Sequence, residues 1–260
     1  MSTPILELSK EADLSMAEEW FEMVDEDHIW FRWRLRETLK AFKEYGIDTS
    51  KKLHLLEVGT GGSHLRKQLE DATGWTIDGC DLNRTALEQG KSCRGQALLY
   101  NILDEHPDYM NRYDGVVMFD VIEHIKDYDS FISASLKHVK PGGLVLVNVP
   151  ALQICYSKYD EAIGHYRRYN SKSLSQVFTK QKIVDPMTYY WGLTLVPVLF
   201  VRKWMMMFIN NDIKTVVSKG MQPQSALSEG ILRLLMYVDG FFNRRFLGSS
   251  VLLVAKKGTS

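Results

Sequence analysis

LHLLEVGTGG, residues 53–62, is an apolar run that meets an acid and then a cluster of glycines. Leu53, Leu55, Leu56 and Val58 suit a strand buried on both faces, as in a parallel sheet covered by helices. Gly59, Gly61 and Gly62 let the backbone turn tightly and approach a ligand where a Cβ would collide. Taken alone, the stretch also fits an ordinary glycine-rich turn, so its meaning depends on what flanks it.

Downstream, residues 63 to 71 read as a helix and WTIDGCD, 75 to 81, as a second strand ending in Asp81. Asp81 falls about 20 residues past the glycine turn, where nucleotide-binding α/β folds place a carboxylate for the ribose hydroxyls. The competing reading is an N-cap for a helix starting near Arg84, a task Asn83 can fill. QALLY, 96 to 100, is a third strand leading into Asn101, Ile102, Leu103 and Asp104, a mixture suited to holding an adenine edge against an apolar wall. YDGVVMFDVIEHI supplies a fourth strand ending at Phe119 and Asp120. The helix DYDSFISASLKHV is expected to stop at Pro141, Gly142 and Gly143, ahead of a fifth strand in LVLVNVP. A helix near 171 to 180, a sixth strand in KIVDPMTYY and a last one in GSSVLLVAKK complete the pattern. Strands alternating with helices mean βαβ units and a doubly wound sheet that binds ligands at the carboxyl ends of its strands. Gly59, Asp81, Asn101 and Asp120 all fall at those ends.

Upstream, Ser15 to Tyr45 has a helical pattern, with Phe31, Leu35, Leu39 and Phe42 on one face and Gly46 as its stop. Trp30, Phe31, Arg32, Trp33 and Arg34 set aromatic and cationic groups side by side. This suits a helix packed on a sheet with its arginines in solvent, or a ligand contact.

The 260 residues suffice for one large α/β domain or a domain with an insertion. Acidic and basic residues balance at 32 each, so no global field points to nucleic acid, and none is expected as a partner. Cys80, Cys93 and Cys155 are odd in number, widely separated and free of any CxxC pair, which fits a reducing cytoplasm. MSTPILELSKEADLS lacks the basic start and apolar core of a secretory signal. Residues 186 to 201 are uncharged and mostly apolar, but Pro197 interrupts them and Arg202 and Lys203 end them, short of the roughly 20 residues a spanning helix needs.

A dinucleotide fingerprint requires glycine where this chain has His64. Glu57, Gly59, Gly61 and Ser63 instead form an E-x-G-x-G-x-S string. It resembles the first motif of class I S-adenosylmethionine-dependent methyltransferases, E/D-x-G-x-G-x-G, with Ser63 in place of the last glycine. The resemblance covers residues 53 to 150 and includes the fifth-strand entry LKHVKPGGLVLVNVP. It implies S-adenosylmethionine as cofactor and a Rossmann-like, seven-stranded α/β sheet, mostly parallel with an antiparallel last strand. It also implies cofactor contacts at Glu57, Gly59, Thr60, Gly61, Asp81, Leu82, Asn101, Ile102 and Asp120. FDVIEHI is similar to the type 11/23 subgroup that includes ubiquinone-pathway O-methyltransferases, where WFRWR and GHYRRY also recur. Ser63 adds a side chain near the methionine part of the cofactor. Asn101 replaces the commoner aspartate at the adenine but still accepts a hydrogen bond. A fold kept for binding or scaffolding, without methyl transfer, is the alternative these departures leave open.

Methyl transfer from a sulfonium is an in-line displacement, so the protein must hold nucleophile and methyl carbon close and aligned with water excluded. A base is needed only if the acceptor loses a proton. His124 and His165 are the candidates, each with a loop-fixing hydrogen bond as its structural alternative. Asp120, Glu123 and His124 offer three ligands to a divalent ion, as relatives in the ubiquinone pathway suggest. Acids at a helix start more often cap it, and no metal is assigned. Trp30, Arg32, Arg168 and Tyr190 are acceptor-side candidates; Arg167 and Arg168, beside Tyr166 and Tyr169, fit either an anionic acceptor or surface salt bridges.

Between the sixth and last strands, Trp191 to Leu247 is far longer than a structureless loop should be and emerges at the cofactor edge. WGLTLVPVLFVRKWMMMFI and ILRLLMYVDGFFNRRF read as two or three apolar helices joined by a polar stretch through Met221, Gln222, Pro223 and Gln224. The expected organisation is an N-terminal helical segment (1–50), a cofactor-binding α/β domain (51–190), a helical insertion (191–247) and the last strand (248–260). Met205, Met206 and Met207, with aromatics beside Arg202 and Lys203, suit an adaptable apolar surface with a cationic rim. Such a surface serves as a lid over a small-molecule or lipid-linked hydroxyl acceptor, a peripheral membrane contact or a homodimer face.

Overall fold

In the computed structural model, which describes residues 4–12, 29–208, 226–242 and 246–259, His54–Val58 forms the strand β2. Leu55 packs into one apolar cluster while Leu56 and Val58 pack into another, as a strand covered on both faces requires. Around it the chain runs β1 (Ile5–Glu7), α1 (Ile29–Tyr45), β2, α2 (His64–Ala72), β3 (Thr76–Asp81), α3 (Arg84–Gln89), β4 (Ala97–Leu99) and β5 (Tyr113–Phe119). It continues through α4 (Tyr128–Lys137), β6 (Val139–Pro150), α5 (Lys158–Ala162), α6 (Ser171–Val177), β7 (Ile183–Trp191), α7 (Val196–Met206), α8 (Ala226–Asp239) and β8 (Ser250–Lys257).

The sheet has the order β1-β4-β3-β2-β5-β6-β8-β7. Pairings from β1 through β6 are parallel, and β8 runs antiparallel between β6 and β7. The order reverses between β2 and β5, and at that switch point helices depart to opposite faces and leave a crevice at the carboxyl ends. This is the Rossmann-like architecture that the resemblance implies.

Three details differ from the sequence reading. The sheet has eight strands instead of seven, because Ile5–Glu7 adds to the edge of β4 in parallel register, Ile5 opposite Ala97. The N-terminal segment, expected to be helical, therefore includes a strand; it covers backbone groups that an edge leaves unpaired. Leu8 and Ser9 both donate their N–H groups to Leu99 O just beyond it. Helix α4 ends at Lys137, well before Pro141. Tyr113 pairs with Val139 but Gly115 pairs with Leu144, so Pro141, Gly142 and Gly143 form an irregularity within β6.

The face of α1 expected to be apolar is inward: Phe31 and Phe42 are buried, and Leu35 and Leu39 pack against the same core. The part of that helical pattern between Ser15 and His28 lies outside the described residues, as does the polar stretch Met221 to Gln224. The apolar run 186 to 201 is divided between β7 and α7, and among the described residues no helix is long and apolar enough to cross a membrane. Asp239 anchors α8 by accepting the Gly192 and Thr194 N–H groups at 3.0 and 3.2 Å. Arg36 ties α1 to it by donating to Met236 O at 2.8 Å.

Candidate active site

At the end of β2 the backbone enters the left-handed region at Gly59 (φ +75°) and again at Gly61 (φ +49°). A Cβ on Gly59 would lie 2.6 Å from Val121 Cγ2, across the switch point, so both the turn and the close approach demand glycine. Ser63, where the family motif has its last glycine, also takes a left-handed conformation, φ +61°, with its side chain buried. The substitution is therefore accommodated in a glycine-like backbone at a cost of about 1 kcal/mol.

Glu57 lies beneath this turn, buried, and accepts the Thr60 hydroxyl proton at 2.5 Å. Burial pushes its carboxyl up to about 7, against the pull of the Thr60 hydroxyl, Arg66 and Arg34. Between about pH 4.5 and 7 the folded chain thus holds a proton that the unfolded chain releases, so stability falls as pH rises through that window. The ligand-free protein is expected to lose about 3 kcal/mol across it from this group alone. Glu57→Gln should remove that component, seen as the difference between wild-type and variant urea midpoints at the two ends of the window.

Asp81 ends β3 with both carboxylate oxygens in use: Oδ2 accepts the Gly61 N–H at 2.8 Å and Oδ1 the Asn83 N–H at 2.9 Å. Burial raises its carboxyl, and backbone N–H groups oppose the rise. The cap of α3 is Asn83, whose Oδ1 accepts the Ala86 N–H at 3.0 Å, leaving Asp81 to organise the glycine turn. Asn101 follows β4; its Oδ1 accepts the Leu103 N–H at 3.1 Å and its own N–H reaches Ser9 Oγ at 2.9 Å. Ile102 is buried in the core, and Leu82 O accepts the Ala12 N–H at 3.3 Å. The N-terminal arm is thus hydrogen-bonded along the edge where an adenosine would lie. A strand-end acid and a glycine cradle at the switch point fit the expected cofactor.

On the other side of the crevice, Asp120 is held at φ +57°. Arg34 Nη1 donates to its Oδ2 at 2.6 Å, Asn148 Nδ2 donates to its Oδ1 at 2.8 Å, and Trp191 Nε1 donates to Asn148 Oδ1 at 2.9 Å. The Arg34 guanidinium sits 4.6 Å over the Trp30 ring, and Trp30 and Trp33 both lie against Trp191. So Arg34 is buried, contrary to the expectation that the arginines of WFRWR lie in solvent; Arg32 is the exposed one. The interior position follows from its ion pair with Asp120. Asp120→Ala leaves that guanidinium without its counter-charge, and urea unfolding should show a loss of about 3 kcal/mol.

The two histidines come together. His124 lies in the turn after β5 and His165 in the loop after α5, with ring centroids 4.6 Å apart and edge to face. The Tyr166 N–H donates to Glu123 O at 2.8 Å, stitching the two loops together. Burial, and then the neighbouring His165, push His124 down to about 3, so its ring is neutral at physiological pH. His165 Nδ1 lies 3.1 Å from Asp160 Oδ1, which also accepts Arg168 Nε at 2.7 Å. Asp160 Oδ2 accepts both the N–H and the hydroxyl of Ser157. These partners overcome burial and hold the Asp160 carboxyl at about 2, so it is ionised and only accepts. His165 Nδ1 therefore donates to Asp160, and Nε2 is the ring nitrogen left to exchange a proton with an acceptor.

Nε2 lies 3.9 Å from Glu123 Oε1. Glu123 is fully buried, and neither of its carboxylate oxygens has a hydrogen-bond partner. Burial and then Asp120 raise its carboxyl well above the usual range. Glu123, His124 and His165 also bring potential ligand atoms within 4.8 Å of one another.

Arg168, expected at the surface or on an anionic acceptor, is buried by its bonds to Asp160 and to Ala151 O. Tyr190 accepts the Ser171 N–H at 2.7 Å through its hydroxyl, at the start of α6. Asn148 and Asp160 were not among the residues singled out from the sequence, and Arg34 was named there only as one cation of WFRWR, not as a partner of Asp120. The one local sign of Asp160 is SKYD at 157–160, a capping-box pattern, and its pairing with His165 has no sequence signature.

A family model described as a methyltransferase domain matches residues 30–187. The ubiquinone biosynthesis O-methyltransferase of Brucella ovis is 33% identical over 100 residues, 36% of this chain and 40% of that protein. The chain thus spans less than half the length of this curated relative. Among solved structures, phosphoethanolamine N-methyltransferase 2 of Haemonchus contortus in complex with S-adenosyl-L-methionine superposes with TM-score 0.55 at 20% identity, over 86% of this chain and 52% of that one. A SAM-dependent methyltransferase of Thermotoga maritima gives TM-score 0.55 at 15% identity, over 92% and 93%. At these identities the likeness is one of fold.

Proposed function

The chain belongs to the methyltransferase domain family, and from that premise we propose that it is an S-adenosylmethionine-dependent O-methyltransferase acting on a small-molecule or lipid-linked hydroxyl acceptor. When bound, the cofactor supplies an electrophilic methyl group on a sulfonium. The chain's own residues bind and orient: Glu57, Gly59, Thr60 and Gly61 form the cradle for the methionine end. Asp81 meets the ribose, and Leu82, Asn101 and Ile102 meet the adenine.

Hydroxyl acceptance is carried by the His165–Asp160 pair. An alcohol or phenol must lose its proton as oxygen attacks, and Nε2 of His165 takes it while Asp160 stabilises the imidazolium that results. His124, neutral and edge-on, packs the base in place. Trp30, which lies against Trp191 and under the Arg34 guanidinium, is the acceptor-side candidate on α1. Three free cysteines support a reducing cytoplasm as the setting.

Incubation with labelled cofactor and fractionated lipid and metabolite extracts, followed by mass spectrometry, tests the reading. A product methylated on oxygen is expected. Transfer only to nitrogen or carbon would remove the role given to His165, and cofactor binding without any transfer would favour the scaffold alternative.

The orphaned Glu123 carboxyl favours a second reading, in which Glu123, His124 and His165 hold a divalent cation that would displace the carboxyl proton, give its oxygens a partner and polarise the acceptor oxygen. Calorimetric titration with magnesium, manganese and zinc separates the two. Tight binding lost in Glu123→Ala supports the cation, and no heat supports the base alone.

A further inference from the structure

The two helices of the insertion turn apolar side chains to solvent at helical spacing. On α7 and its extension, Val201, Trp204 and Phe208 are 56%, 60% and 73% exposed; on α8, Leu234, Tyr237 and Phe241 are 61%, 65% and 73% exposed. A surface helix normally buries its apolar stripe and shows a polar one. Here the inward side is already occupied. Met206 packs against Tyr159 and Ile163, and α8 is pinned through Asp239. The exposed stripes are therefore additional to what the fold uses, and apolar surface of this kind marks a place of contact.

Charge selects the occupant. Residues 191–247 contain seven Lys or Arg against three Asp or Glu, a net of plus four, while the whole chain balances at zero, so the remainder carries minus four. That excess of positive charge within the segment suits an anionic surface. Trp and Tyr among aliphatic side chains, with Lys and Arg nearby, is the composition of segments that lie in the boundary between water and lipid. We propose that the insertion docks α7 and α8 on the surface of an anionic lipid bilayer. The docked helix α7 is also the one packed on the segment carrying Asp160 and His165, through Met206 and through Arg202, whose guanidinium lies 4.2 Å over the Tyr159 ring. That gives a lipid-dissolved acceptor a route to the base. Only this last point depends on the methyl-transfer reading.

Flotation of the full chain, without cofactor or acceptor, tests docking independently of catalysis. The wild type is expected to float with phosphatidylcholine vesicles containing phosphatidylglycerol, about tenfold less with phosphatidylcholine alone, and less again as salt is raised. Trp204→Glu combined with Leu234→Glu changes two exposed positions, so the melting temperature should hold while partitioning falls by about tenfold or more. The proposal is overturned if the wild type does not float with anionic vesicles, or if the double variant floats as well as the wild type. It is equally overturned if sedimentation finds a dimer that the variant breaks while no vesicle binding occurs.

Discussion

Asp81→Ala should weaken S-adenosylmethionine binding about a hundredfold. A carboxylate accepting from two ribose hydroxyls makes charge-assisted hydrogen bonds worth roughly 1.5–3 kcal/mol each, so losing the pair costs about 3 kcal/mol at the low end of that range, a hundredfold or slightly more. A second cause adds to it: the same carboxylate holds the Gly61 N–H at 2.8 Å and the Asn83 N–H at 2.9 Å. Removing it therefore loosens the glycine turn as well as the ribose contact. Asp81→Asn separates the contributions, because the amide keeps one acceptor oxygen and should lose only about tenfold. Calorimetry on both variants, with urea unfolding to confirm that the sheet persists, reads the result. Unchanged affinity in Asp81→Ala would place the ribose elsewhere.

His165→Ala is expected to lower kcat by about a thousandfold while leaving the cofactor dissociation constant close to that of the wild type, the range general-base removal normally covers. Asp160→Asn is the sharper test, since it keeps the ring. It removes the negative charge that stabilises the imidazolium as the proton arrives at Nε2. A comparable fall in kcat is expected, with a loss of stability as well because the buried Arg168 loses its counter-charge, and urea unfolding checks that the variant is folded under assay conditions. His124→Ala should cost much less, about tenfold, because its neutral ring packs against His165 and takes no proton. Full turnover in both His165→Ala and Asp160→Asn would exclude a histidine base.

Much of this was legible locally. Asp81 and Gly59 could be read because β-strand, turn and helix in a βαβ unit are contiguous in the chain, and a ligand at the switch point needs glycine and an acid at short, regular intervals. The end of α4 was misplaced by the usual stop signal. Pro141, Gly142 and Gly143 serve an irregular pairing of β6 with β5, and that pairing is set by residues some 28 positions away. Arg34 was misread for a related reason. Its helical face carries aromatic neighbours that suit either solvent or interior, and only Asp120, 86 residues on, makes burial of the guanidinium tolerable.

By itself, then, the sequence determined the doubly wound sheet, its family and the strand edge that carries the glycine turn and Asp81, because periodicity and turn chemistry act over a few residues. The tertiary structure decided the rest. It alone set His124 against His165, gave His165 its orienting partner in Asp160 and left the Glu123 carboxylate buried without a hydrogen bond. It alone turned an apolar face of the insertion outward after the inward faces had been filled. Distances between loops and the balance of burial against charge depend on which strands become neighbours, and that information belongs to no single stretch of chain. The glycine turn after β2 is written in ten consecutive residues; the contact between His124 and His165 exists only once β5 and β6 lie side by side.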